Sequence, residues 1–184
     1  MPTAITATVG AADANSFITE AEADTYLGDR LNAGAWNDLG AGVDTRLQAL
    51  IEATRELNRL PWAGTRVDST QALSWPRDWV VNPDLPWAIE EAADIYYYLT
   101  TEIPQRVKDA QAELTLEFLR AGTTDIAVGD ADQNVRRKKT DVLETEYWSR
   151  GQQTSGIALY PRVVDLIWDL LDPVVIGGTA LIRG

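Results

Sequence analysis

Between Val43 and Leu60 the apolar positions Val43, Leu47, Leu50, Ile51, Thr54, Leu57 and Leu60 recur every three to four residues, and Pro61 then breaks the run. That spacing places one stripe along a 3.6-residue helix and predicts a core element. Upstream, Ala23, Tyr26, Leu27 and Leu31 form a narrower stripe, which predicts a first helix over about 19–32 with Glu20, Asp24 and Arg30 turned to solvent. Its start is marked by Thr19 and Glu22, whose hydroxyl and carboxylate are spaced to satisfy free backbone N–H groups at a helix N-terminus. Gly40 and Gly42 mark the turn between the two helices.

Residues 61–85 are rich in Pro, Gly and Trp and hold no period long enough for an element of their own; an ordered loop pinned by Trp62, Trp75 and Trp79 is expected. Asp84 and Pro86 then read as a cap and a first-turn proline, predicting a third helix over about 86–101 whose dipole favours Glu90 and Glu91. Ile103-Pro104 restarts the chain, and Val107, Ala110, Leu114, Phe118 and Ala121 mark the inner face of a fourth helix stopped by Gly122. From 123 to 150 the pattern shifts to alternation, and Val135 to Tyr147 predicts a short β-hairpin or arm. The last stripe, Tyr160, Val163, Val164, Ile167, Leu170 and Leu171, begins a helix at Pro161 and ends at Asp172-Pro173.

These elements predict a mainly α protein: a helical bundle of four to five helices with a small β-hairpin and an extended C-terminal tail. The boundaries are a domain over 1–172, carrying the hairpin region 123–150, and an arm over 173–184. In that arm Pro173, Val174, Val175, Ile176, Gly177, Gly178, Thr179, Ala180, Leu181, Ile182, Arg183 and Gly184 place a glycine pair ahead of an apolar tail. Such a segment buries little by itself and suits strand or groove addition to a partner.

Composition narrows the chemistry. The 184 residues are 45% hydrophobic, enough for an ordinary core, and the apolar stretches are interrupted by charge, as by Asp165 and Asp169, so no membrane span is expected. The N-terminal residues lack the basic start and apolar run of a secretory signal, which implies a cytoplasmic site of synthesis and assembly. Cysteine and histidine are both absent. Thiolate nucleophiles, disulfides and the commonest general base and transition-metal ligand go with them. With no GxxxxGK[ST], GxGxxG or GxSxG motif either, the expectation is a protein that is not an enzyme and carries no cofactor or metal.

The 28 acidic and 16 basic residues give a formal charge of −12, which repels nucleic acid at long range. Four of the cations, Arg136, Arg137, Lys138 and Lys139, are consecutive. They fit a solvated strand edge protected from pairing, or a local contact with phosphate or an acidic partner within a Debye length. Gly129 to Asn134 resembles the opening of a calcium loop, but Val135 stands where glycine is needed and Asp141 where glutamate is needed, so a solvated turn is expected. Glu90 and Glu91 diverge by about 100 degrees on a helix and cannot form a catalytic pair. Trp36, Trp62, Trp75 and Trp168 are expected in the core or between subunits.

The order of five segments adds a resemblance: ANSFITEAEADTYL, ALIEATRELNRLPWAGTR, QALSWPR, IPQRVKDAQAELTLEFL, and YPRVVDLIWDLLDP with its GG…LIRG tail. Together they resemble the head-to-tail connector (adaptor) family of tailed bacteriophages, members of which are sometimes labelled DnaT-like single-stranded DNA-binding proteins. The likeness runs from about residue 14 to 184 except for 78–102, which departs from the family pattern as an inserted helix. It implies a virion neck protein, a ring of about twelve copies closed by cyclic symmetry, with portal protein on one side, the next neck or tail protein on the other and genomic DNA passing through. Residues 173–184 are, by the same resemblance, the portal-facing arm. A single-stranded DNA-binding replication module and another neck component, such as a tail-completion protein, are the alternatives.

Overall fold

Thr19 caps the first helix as its sequence predicts: the Thr19 hydroxyl accepts from the Glu22 N–H, and the Glu22 carboxylate accepts from the Thr19 N–H. The computed structural model describes residues 4–82, 84, 97–122, 135–139, 144–147 and 160–172. Helix α1 spans Glu20–Gly28, α2 Gly34–Asn37, α3 Asp44–Asn58, α4 Gln105–Ala121 and α5 Pro161–Ile167, the last continued by a 3₁₀ turn over Trp168–Leu170. Strands β1 (Thr65–Arg66) and β2 (Arg77–Asp78) form one antiparallel pair, and β3 (Val135–Lys139) and β4 (Glu144–Tyr147) another. The described residues are thus mainly helical.

Helix α4 lies at the centre, in contact with α1, α2, α3 and α5. Both of its flanks are buried. Val107, Ala110, Leu114 and Phe118 join α3 residues Ala53 and Leu57, α5 residues Val163 and Ile167, and the indoles of Trp62 and Trp75. Ala112 and Leu116 pack on the opposite side with Leu27, Ala33, Trp36 and Leu50. Each of the larger buried apolar side chains stabilises this arrangement by roughly 1.5–3 kcal/mol. Gly122 ends α4 in the left-handed region at φ 66°, as a C-terminal glycine should.

The polar residues that run through this core are satisfied by side chains remote in sequence. The Gln111 amide, fully buried, accepts from the Phe17 N–H at 3.0 Å and donates to Ser16 Oγ at 2.8 Å and to the Leu50 carbonyl at 3.0 Å. It ties the N-terminal segment to α3 and α4.

Several expectations are corrected. The first helix stops at Gly28, and Leu31, assigned to its buried side, is 82% exposed, because Asn32 turns the chain through φ 62° and carries Leu31 off the stripe. Glu20 and Arg30, expected in solvent, are half-buried in tertiary ion pairs, and Asp24, exposed as expected, also accepts one. Ala121 is exposed at the end of α4. The segment Gly34–Asn37, to which no element was assigned, is helical and buries Trp36.

One aromatic placement also differs. Trp36, Trp62 and Trp75 are buried; Trp79, expected to pin the loop, is 64% exposed, and Trp168 at 41% exposed is outside the core, which leaves its other expected place, between subunits. Order in the 61–78 loop comes instead from Arg77, whose guanidinium donates to the carbonyls of Trp62, Ala63, Gly64 and Ser74. The C-terminal end of the predicted third helix, 97–101, is not helical: Tyr97 forms a β-bridge with Val81, and Tyr98 donates its N–H to the Val80 carbonyl. The rest of that prediction, with Glu90 and Glu91, lies outside the described residues. So do the calcium-loop-like residues 129–134 and the arm 173–184.

Gly64 takes φ 69°, and a Cβ there would overlap the Asp78 carbonyl oxygen and lie 2.8 Å from Val80 Cγ2. Gly64→Ala is therefore expected to lower unfolding free energy by about 2–4 kcal/mol, strain and overlap adding, as read from the urea midpoint. A loss below about 0.5 kcal/mol, the range of an ordinary surface change, would show that the β1–β2 corner is not close-packed.

Candidate interaction surfaces

Three regions outside the apolar core gather polar or exposed chemistry. The first lies between α1 and the start of α4. There Glu113, buried at 4%, receives Arg30 Nε at 2.5 Å, Arg30 Nη2 at 3.0 Å and the Tyr26 hydroxyl at 3.1 Å. Both carboxylate oxygens are occupied by a bidentate guanidinium, the geometry of a structural ion pair. Burial, then the Glu113 charge, pushes the Tyr26 phenol well above its ordinary value, so it stays protonated and serves as a donor. Burial, with the Glu113 charge acting in the same direction, also raises Asp109, against the lowering effect of the Gln105 amide. The groove in front, about 560 Å³, is lined by Glu22, Thr25, Tyr26, Asp29, Arg30 and Gln105 and is open to solvent.

Beside it, Arg46 is buried at 3% with its guanidinium carbon 3.8 Å from the centre of the Trp36 ring. It pairs with Asp24 and, at 3.5 Å, with Glu20, and the Trp36 indole N–H donates to the same Asp24 at 2.9 Å. A cation over an indole face and against two carboxylates is a lock between α1, α2 and α3.

The second region is the hairpin. The ladder bears out a strand over the four consecutive cations, which fall within β3. Its register sets Arg137 opposite Glu146, Lys138 opposite Thr145 and Lys139 opposite Glu144, with an irregularity at 136. Two of the four cationic positions therefore face acidic positions across the strand pair.

The third region is one the sequence reading missed. Residues 79–81 and 97–99 run side by side, joined by the Val81–Tyr97 bridge and the Tyr98 N–H to Val80 carbonyl bond at 2.9 Å. Val80 and Tyr98 face the core, where Tyr98 meets Trp75 edge to face at 6.3 Å. The alternate positions face outward: Trp79, Val81 and Leu99 are exposed at 64%, 43% and 57%, and the Trp79 ring meets Tyr97 edge to face at 5.4 Å. Trp79 is held at φ 63°, a conformation that costs a bulky residue about 1–3 kcal/mol. The signal available in the sequence was the unbroken apolar run Trp79-Val80-Val81, which lacks the polar alternation of a half-exposed strand.

One family profile, described as "Putative DnaT-like ssDNA binding protein", matches residues 1–183. No curated protein and no solved structure matches the chain.

Because the folded state raises the Asp109 carboxyl, ionising that group disfavours folding: the penalty is absent below the ordinary aspartate range and grows as pH rises through it. Asp109→Asn, which keeps the acceptor for Gln105, should raise the melting temperature at pH 7 and leave it unchanged near pH 3. Equal gains at both pH values would mean that the carboxylate charge is not the cause.

Proposed function

The chain belongs to the DnaT-like ssDNA binding family, and within it we propose that this member is a structural connector of the tailed-bacteriophage neck rather than an enzyme or a replication factor. In this reading copies assemble as a ring between portal protein and the next neck or tail protein, with DNA passing through the bore. It is made in the host cytoplasm and acts in the virion.

The observation that carries the reading is the disposition of positive charge. Arg30, Arg46, Arg55, Arg59, Arg106, Lys108 and Arg120 are each ion-paired with a carboxylate of the same chain. Arg77 is saturated by main-chain carbonyls, and two of the four hairpin cations, Arg137 and Lys139, stand opposite acidic positions. A single-strand binder needs a basic groove lined by exposed aromatics, with cations available to release counterions from phosphate. A net charge of −12 with its cations so engaged suits a channel wall that repels DNA and lets it slide. The ordered segments from ANSFITEAEADTYL to the LIRG tail support the neck assignment.

The family description favours the second reading, single-stranded DNA binding. The two differ in their response to salt. Phosphate contacts weaken steeply as salt rises, whereas association of like-charged copies through apolar surface strengthens. The expected result is no retention of an oligothymidylate at physiological ionic strength, together with co-sedimentation with portal rings. Stoichiometric, salt-sensitive binding to the oligonucleotide without portal binding would replace the connector by the DNA-binding module.

Deleting 173–184 should leave the helical circular dichroism signal intact and abolish co-sedimentation with portal. A truncated chain that still sediments with the rings would remove the arm from the interface. Replacing Arg136, Arg137, Lys138 and Lys139 with serine should lower the yield of DNA-filled, tailed particles, and an unchanged yield would leave the cluster with the solvated-edge role.

A further inference from the structure

We draw no further inference here: the strongest candidate, the exposed apolar face of the 79–81/97–99 ribbon that carries Trp79, Val81 and Leu99, supports none because nothing in the structure shows what covers it.

Discussion

The buried amide of Gln111 is the constraint on which the rest of the structure depends. It sits on the central helix, enclosed by apolar side chains, and uses both ends of its amide on groups 61 to 95 residues away. A buried amide left without partners would cost about 1–3 kcal/mol per group, so the N-terminal segment, α3 and α4 have one mutual arrangement that satisfies all three. Phe17 and Ile18 are fixed by the same bonds, and with them the entry into α1. From there the Arg30–Glu113 and Arg46–Asp24 pairs fasten α1 and α2 to the opposite flank of α4.

This way of building the core has a consequence for the surface. Cations that in other acidic proteins would form a patch are drawn inward or matched along a helix face, as Arg55 is with Glu52 and Arg59 with Glu56. Among the described residues most cations are engaged within the chain in this way, and a few large apolar side chains such as Leu31 and Trp79 stand out in solvent. Any association of so acidic a molecule with copies of itself would have to work against charge repulsion.

The backbone near the ribbon is shaped with the same economy. Arg77 gathers four carbonyls and so holds the 62–64 and 74–77 segments together, and Gly64 allows the close approach that brings β2 alongside. Beyond β2 the chain turns Trp79 outward and Val80 inward. A loop with little regular structure thereby becomes a firm mount for an exposed aromatic ring.

The sequence by itself determined the local features: the Thr19–Glu22 box, the α3 stripe, the Pro104 and Gly122 limits of α4, Pro161 at the start of α5, and a strand over Val135–Lys139. Caps, breakers and periodicity act within a few residues, so they are written in the order of the chain. The absence of cysteine and histidine was equally legible, and so was the acidic balance. Only the tertiary structure decided that Arg30, Asp24 and Glu20 enter ion pairs, and that Trp79, Trp168 and Leu31 stand out while Trp36 goes in. Burial of a side chain depends on what arrives from a distant part of the chain: Glu113 for Arg30, Arg46 for Trp36. Helical spacing names a face and an alternating run names a strand, but neither says which partner will cover it.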